Sequence, residues 1–219
     1  MVKASFAQSR TPWLTCTENR IYHWNIKEIK ACLPDGSRAL AALKDDIMAL
    51  LKIRHYPDPV LKKVAATVTE FDETLRQLAH DMAETMYAAP GVGLAAPQVG
   101  ISKRLTVIDC SVRDEDAQLL ILVNPEIIHR EGESCEEEGC LSVPEYYARI
   151  DRSAKVRVRF QDLDEQTHVI EAEGLTAIAC QHEIDHLDGI LFVDHLSPLK
   201  RSIFRKKWKK IEGHRTEQM

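Results

Sequence analysis

The segment Gln181-His182-Glu183-Ile184-Asp185-His186-Leu187-Asp188-Gly189 contains the pattern H-E-x-x-H. On an α-helix, four residues advance the chain by roughly 400°, so His182 and His186 leave the same face one turn apart and can share one metal ion. Glu183 lies beside that face, where its carboxylate could take a proton from a water molecule. We therefore expect a metal-binding helix at the centre of the molecule.

The residues that flank this motif are mostly apolar, namely Leu175, Ile178, Ile184 and Leu187. Their spacing predicts that much of a helix over residues 175–187 is buried. Burying two imidazoles without polar partners would cost free energy. A helix with two surface histidines is the alternative, but a metal ion is the simplest partner for two buried ones.

The composition is ordinary for a soluble globular domain, with 219 residues of which 44% are hydrophobic and 29% charged. The formal net charge of −5 argues against a general nucleic-acid binder, including a DNA-binding protein. No apolar run approaches the roughly 18 residues of a membrane span, and no secretory signal follows Met1. Six cysteines in such a chain indicate reduced thiols rather than disulfides.

Residues 1–47 differ from the rest because isolated aromatic residues stand among polar ones with no sustained period. Organised sequence begins at Met48. Three explanations stay open: a start site placed too early, a transit peptide, since the first 17 residues contain Lys3 and Arg10 but no acid, or a regulatory extension. We expect residues 1–47 to be an extension that is poorly ordered or not native, and residues 48–219 to form one catalytic domain with a basic C-terminal helix.

The remaining periodicities predict an α+β fold. Apolar residues recur with a helical period over 71–87, and further helices are predicted at 175–187 and 197–211. Strands are predicted at 104–109, 119–123, 155–160 and 168–172. Strands joined by short turns, with the helices gathered separately, indicate antiparallel sheets packed around the central H-E-x-x-H helix, with a C-terminal helix after it.

A catalytic metal site usually has three protein ligands and one open position. None of the downstream residues completes the extended H-E-x-x-H-x-x-G-x-x-H form, because position 192 is Phe. These downstream residues are Asp188, Asp194, His195 and Glu212. Upstream, the segment 138–142 offers the thiolate of Cys140, and Gly139 permits a close backbone approach there.

A closed structural zinc site made by Cys135, Cys140, His182 and His186 is a further alternative. About 41 residues separate the two pairs, which is far more than a small zinc module uses, and three glutamates at 136–138 crowd what is expected to be a loop. Cys180 is a poor fourth ligand, because two residues before His182 places it about 200° around the helix.

Three segments, in this order, resemble those of the peptide deformylase family. They are Gly91-Val92-Gly93-Leu94-Ala95-Ala96-Pro97-Gln98, Glu138-Gly139-Cys140-Leu141-Ser142 and Gln181-His182-Glu183-Ile184-Asp185-His186-Leu187-Asp188-Gly189. The resemblance extends from about Met48 to the C-terminal helix. It implies hydrolysis of the N-terminal formyl group of formyl-methionyl nascent peptides, with one divalent metal ion held by Cys140, His182 and His186.

The resemblance also implies a role for each remaining site residue. Glu183 would move the proton, while the side-chain amide of Gln98 and the backbone N–H of Leu141 would bind the oxygen of the tetrahedral intermediate. The implied substrate-binding residues are Val92, Gly93, Gly139, Leu175 and Ile178. Tyr147 is expected to border the substrate cleft, without an assigned role.

One thiolate and two imidazoles suit Zn²⁺, Fe²⁺, Co²⁺ or Ni²⁺, and the resemblance implies Fe²⁺.

The C-terminal segment is rich in Lys and Arg and has an apolar helical stripe, which indicates either a docked helix with a solvated basic face or contact with an anionic surface. The resemblance implies the ribosome as that surface, in the bacterial cytoplasm, or in an organelle if residues 1–47 are a transit peptide. A zinc peptidase and a structural zinc protein remain the alternative functions.

Overall fold

A computed structural model of the protein describes residues 50–111 and 119–217. Its helices and strands are α1 (Glu73–Ala88), β1 (Gly93–Ala95), β2 (Leu105–Ile108), β3 (Leu120–Glu131), β4 (Ser134–Cys140), β5 (Val143–Arg152), β6 (Lys155–Gln161), β7 (Thr167–Glu173), α2 (Gly174–Leu187) and α3 (Pro198–Glu217). Short 3-10 helices lie at Pro59–Lys62, Ala96–Val99 and Phe192–Asp194. The predicted extension at residues 1–47 lies outside the described residues.

The strands form two antiparallel sheets. Five of them follow the order β1-β2-β3-β6-β7, whereas β4 and β5 pair only with each other. The predicted α+β fold with antiparallel sheets is therefore confirmed. Within the described ranges, no helix is both long and apolar enough to span a membrane.

Helix α2 is buried on nearly every side. It packs against β1, β2, β6 and β7, and its small residues Ala177, Ala179 and Cys180 join Ile184 in a core with Val158 of the sheet. Burial on most sides explains why its apolar residues do not form a single stripe. The H-E-x-x-H motif on this helix is consequently held by the core of the molecule.

Asp72 is the N-cap of helix α1, and its side chain accepts a hydrogen bond from the backbone N–H of Leu75 at 2.9 Å. Its buried face contains Leu75, Ala79, Met82 and Met86, as the helical spacing predicts, and it packs on β1 and β2. The chain turns at the end of α1 and enters β1 at Gly93. Packing of α1 on the sheet thereby fixes where the segment Gly91–Gln98 begins.

The strands β4 and β5 differ from the sequence prediction. The glutamates at 136–138 were expected in a loop, which is wrong, because they lie in β4 and pair with Ala148–Ile150 of β5. Three successive acids hide the alternation of buried and exposed residues that marks a strand. Only Glu138 of the three faces the interior, where it has charged partners.

The C-terminal helix α3 docks on the body of the molecule through its apolar stripe. Phe204 and Trp208 are buried in a cluster that includes Leu61, Ile150 and Phe192. The ring of Tyr56, near the start of the described chain, packs on both, with centroid distances of 5.4 Å to Phe204 and 5.6 Å to Trp208. The predicted helix at 197–211 is therefore present and is part of the core.

Candidate active site

Three side chains that could hold a metal ion converge where β4 meets α2. One ligand atom each from Cys140, His182 and His186 lies within 4.8 Å of the others, and Cys140 Sγ is 3.1 Å from His186 Nε2. Both imidazoles are buried, which excludes the alternative of two surface histidines. A thiol and two imidazole nitrogens at this separation fit a divalent transition metal.

The closed zinc site finds no support in this geometry. Cys135 is exposed on β4 and does not belong to the ligand group, which is the only such group in the described part of the chain. Cys180 is buried in the core between α2 and the sheet. Three protein ligands therefore leave room for a further ligand, as in a catalytic site rather than a structural one.

A buried carboxylate holds the first imidazole in place. The Nδ1 atom of His182 lies 2.9 Å from Glu138 Oε2, so Nδ1–H donates to the carboxylate and Nε2 is left to face the ligand cluster. Burial alone would raise the pKa of Glu138, but hydrogen bonds from His182 and Arg152 outweigh it and lower that pKa below its usual value. Glu138 therefore stays ionised beside the site.

Arg152 of β5 connects this carboxylate to a second one. Its guanidinium donates to Glu138 Oε1 at 2.7 Å and to Oε2 at 3.1 Å, and also to Asp185 Oδ2 at 2.5 Å. Asp185 Oδ2 in turn lies 2.7 Å from Nε2 of the more exposed His195. The sequence predicted neither Glu138 nor Arg152 as a functional residue. Glu138 stood within a family segment, but nothing near Arg152 in the chain marks it, since only strand pairing brings it there.

The pKa values of the two imidazoles are shifted in opposite directions. Burial lowers the pKa of His186 well below its usual value, and the positive charge of His182 adds to that effect. Burial acts in the same direction on His182, but its hydrogen bonds with Cys140 and Glu138 outweigh it and raise its pKa. His182 therefore favours its protonated form and His186 its neutral form, and a divalent cation would compete with the proton of His182.

Glu183 is buried beside the ligand cluster, and burial raises its pKa to about 7. Its Oε2 atom has no hydrogen-bond partner among the described residues, although it is shielded from solvent. A Cβ atom at Gly93 would lie 2.4 Å from Glu183 Oε1, so only glycine leaves room for this carboxylate. A carboxylate that titrates near neutral pH and has an uncommitted oxygen can accept and return a proton.

The side-chain amide of Gln98 is fixed in orientation. Its Oε1 atom accepts a hydrogen bond from the backbone N–H of Ala95 at 2.8 Å, which directs Nε2 toward the ligand cluster. There, Nε2 lies 3.2 Å from Ser142 Oγ and 3.5 Å from Cys140 Sγ. Leu141 follows Cys140 directly, so its backbone N–H belongs to the same corner of the site. Ser142, which the sequence analysis assigned no role, is buried and holds Gln98 in position.

The expected substrate-binding residues lie around this corner. Val92 and Leu175 are 38% and 54% exposed, so both have surface to offer a ligand, whereas Ile178 is nearly buried. Leu175 and Ile178 precede His182 by seven and four residues, which places all three on one face of α2. Tyr147 is 64% exposed, and a Cβ atom at Gly139 would lie 2.6 Å from its ring, so the ring covers that glycine.

Comparisons with known proteins agree with this geometry. The family model described as polypeptide deformylase matches residues 50–202. The peptide deformylase of Thermodesulfovibrio yellowstonii is 54% identical over 162 residues, which cover 74% of this chain and 98% of that protein.

Two solved structures are similar to most of the chain. A peptide deformylase from Legionella pneumophila has a TM-score of 0.72 at 48% identity, covering 77% of this chain and 98% of that one. A class I type b peptide deformylase from Acinetobacter baumannii, bound to Met-Ala-Ser, has a TM-score of 0.64 at 36% identity, covering 68% and 100%. The chain therefore belongs to the peptide deformylase family, metal-dependent hydrolases that remove the N-terminal formyl group from nascent peptides.

Proposed function

We propose that this chain deformylates formyl-methionyl peptides with the catalytic residues Glu183, Gln98 and Leu141. The observation that supports this most directly is the buried carboxylate of Glu183, with one oxygen uncommitted, beside the group formed by Cys140, His182 and His186. A structural zinc protein would have no use for such a carboxylate.

Cys140, His182 and His186 would hold one divalent ion in this reaction. When bound, such an ion supplies Lewis acidity, which makes water easier to deprotonate and the formyl carbonyl more electrophilic. We propose Fe²⁺ as the ion of the working enzyme, by family resemblance, and Zn²⁺, Ni²⁺ or Co²⁺ fit the same donor set. Elemental analysis of protein purified without oxygen tests this choice.

Glu183 carries the proton. It takes a proton from the attacking water as the new C–O bond forms, and returns it to the amide nitrogen as the C–N bond breaks, so the products are formate and a free amine. Its pKa of about 7 suits both directions of transfer near neutral pH. The Nε2–H of Gln98 and the backbone N–H of Leu141 stabilise the negative oxygen that develops between these two steps.

The peptide would lie along the segment that leads into β1, between Val92 and Gly93 on one side and Gly139 on the other. Leu175 and Ile178 then offer apolar surface to the methionine side chain. The Acinetobacter baumannii relative is described with Met-Ala-Ser bound, which is a deformylated product of this kind.

Formyl-Met-Ala-Ser and unformylated Met-Ala-Ser, assayed side by side with the iron-loaded protein, test the proposal. We expect formate from the first peptide and no reaction of the second, and we expect Glu183→Gln to retain the metal while losing at least about 10²-fold in kcat. Cleavage of internal peptide bonds would instead indicate a zinc peptidase. If the protein catalysed neither reaction, the structural zinc protein would be the remaining alternative.

We further propose that α3 contacts ribosomal RNA in the bacterial cytoplasm. Over residues 198–213, where its side chains are described, the exposed basic residues are Lys200, Arg205, Lys206, Lys207, Lys209 and Lys210. Truncation would remove the buried Phe204 and Trp208, so charge reversal of Lys206 and Lys210 is the cleaner test. Co-sedimentation with ribosomes should weaken and become less dependent on salt in this variant. A control that reverses Lys63 and Lys103, elsewhere on the molecule, should bind like the parent, and equal binding of both variants would contradict the proposal.

A further inference from the structure

A short extended segment near the start of the described chain bonds to both segments that carry the proposed oxyanion donors. The backbone N–H of Arg54 donates to the carbonyl oxygen of Gln98 at 2.7 Å. Two residues later, the backbone N–H of Tyr56 donates to the carbonyl oxygen of Ser142, the residue after Leu141, at 2.8 Å. One stretch of backbone therefore connects two segments that are more than 40 residues apart in sequence.

These two bonds complete a closed ring. The side chains of Gln98 and Ser142 already meet, with Nε2 of the amide 3.2 Å from the serine hydroxyl. Residues 54–56 connect Gln98 and Ser142 a second time, because the N–H groups of Arg54 and Tyr56 donate to the backbone carbonyl oxygens of these two residues. A shift of either donor segment relative to residues 54–56 must therefore break a hydrogen bond of this ring. Gln98 and Ser142, whose carbonyl oxygens accept these bonds, are buried, so water does not readily replace the lost bond.

The segment is anchored at both ends. At one end the backbone N–H of Leu51 donates to Thr85 Oγ1 on α1 at 2.9 Å. At the other end the ring of Tyr56 packs against Phe204 and Trp208 of α3. We define residues 51–56 as the N-terminal clasp, since they join α1, α3 and the two donor segments.

We propose that the N-terminal clasp positions the oxyanion donors Gln98 and Leu141 for the deformylation described above. This inference rests on that proposed function, and the clasp itself touches no reacting atom. An oxyanion donor works only within about 2.7–3.1 Å of the developing charge, and a misplacement of roughly 1 Å can lower a rate by about 10²-fold.

A contribution to the hydrophobic core does not explain these contacts. Leu51 and Tyr56 pack against the core, but the side chain of Arg54 is exposed. Its N–H nevertheless makes a hydrogen bond of 2.7 Å, which is short among the described backbone bonds outside helices and strands. Core packing anchors the ends of the clasp, whereas the backbone bonds of Arg54 and Tyr56 are directed at the donor segments.

Arg54 offers a matched pair of variants. Arg54→Pro removes the N–H that bonds to Gln98, whereas Arg54→Ala removes the same side chain and keeps that N–H. Lys52→Pro is a second control, because the structure gives the N–H of Lys52 no acceptor among the described residues. We expect Arg54→Pro to lower kcat for formyl-Met-Ala-Ser by at least about ten-fold relative to Arg54→Ala, with KM within about two-fold and metal content unchanged.

Amide hydrogen exchange supplies a readout that does not depend on turnover. In Arg54→Pro, exchange should accelerate in residues 93–99 and 138–143 and stay unchanged in α2, whereas Arg54→Ala and Lys52→Pro should exchange like the parent. Equal kcat in the proline and alanine variants, or loss of metal and faster exchange throughout the molecule in Arg54→Pro, would overturn the proposal. If the parent protein released no formate, the proposed function would fail, while the exchange pattern would still decide whether the clasp holds these segments.

Discussion

Glu138 differs from the two glutamates before it, although the three are chemically identical and adjacent in sequence. Glu136 and Glu137 are exposed on β4, whereas Glu138 is buried between the imidazole of His182 and the guanidinium of Arg152. A carboxylate that accepts from the far nitrogen of a metal-binding histidine fixes its tautomer and makes the ligand more basic. Stability of the metal complex should therefore depend on this one residue of the three.

We expect Glu138→Gln to weaken metal binding by about 10- to 100-fold, since a neutral amide holds the histidine less firmly and leaves Arg152 with only one of its two charge partners, Asp185. Competition with a fluorescent chelator measures the affinity. Glu137→Gln changes the same atoms one position away and should bind metal like the parent. Equal affinities in the two variants would show that the contact with His182 does not support the metal.

Gly93 carries a second prediction at the residue scale. An added Cβ atom would lie 2.4 Å from Oε1 of Glu183 and 2.8 Å from its carboxyl carbon, so the carboxylate has to move. We expect Gly93→Ala to lower kcat by about 10²-fold or more while the metal content stays the same, because a displaced general base transfers protons poorly. Gly213→Ala, where the added atom meets nothing within 4 Å, is the control for kinetics measured with formyl-Met-Ala-Ser. Normal kcat in Gly93→Ala would mean that Glu183 does not act from this position.

Spacing explains which of the site residues the sequence could reveal. His182, Glu183 and His186 share one helix, so a 3.6-residue period places them on one side without knowledge of the fold. Cys140 joins them only through packing of β4 on α2, and the family resemblance supplied it. Arg152 had no local signal, because its partners lie 14 and 33 residues away.

At the scale of elements, the predicted strands were those with apolar runs or clean alternation. β6 reads Lys-Val-Arg-Val-Arg-Phe-Gln, and its valines and Phe160 are buried while its charged residues face solvent. β3 was predicted to end at Val123 but continues to Glu131, because an irregular register at Asn124 and Pro125 interrupts the pattern without ending the strand. The sequence of β4, Ser-Cys-Glu-Glu-Glu-Gly-Cys, has no apolar alternation, so that strand gave no signal.

Helix α3 combines a basic face with a buried aromatic pair, so its contribution to stability can be separated from its charge. Trp208 is 4% exposed and packs against Tyr56 and Phe204. We expect Trp208→Ala to lower the free energy of unfolding by about 3–5 kcal/mol, as other buried aromatic truncations do. Urea denaturation measures this value, and Ile203→Ala, on the exposed side of the same helix, should cost less than about 1 kcal/mol. Equal costs would mean that α3 does not dock through its aromatic stripe.

At the scale of the whole molecule, the candidate metal site lies between two parts of the fold, each with its own sheet. Cys140 ends β4 of the two-stranded sheet, whereas His182 and His186 belong to α2, which packs on the five-stranded sheet. The bonds from Arg152 to Glu138 and Asp185 connect the same two parts. Because a bound ion would add a further link between them, we expect metal binding to stabilise the entire fold rather than the site alone.

Thermal unfolding of the metal-free and metal-loaded forms tests this expectation. A ligand at about 1,000 times its dissociation constant stabilises the native state by about 4 kcal/mol, and each kcal/mol raises the Tm of a domain of this size by about 2–4 °C. Loading with Zn²⁺, which avoids oxidation, should therefore raise Tm by about 8–16 °C. In Cys140→Ser, one of the three ligands is exchanged for a weaker one, so the same treatment should raise Tm far less. If Zn²⁺ raised Tm equally in both proteins, the stabilising ion would have to bind elsewhere, and the link between β4 and α2 would not be its cause.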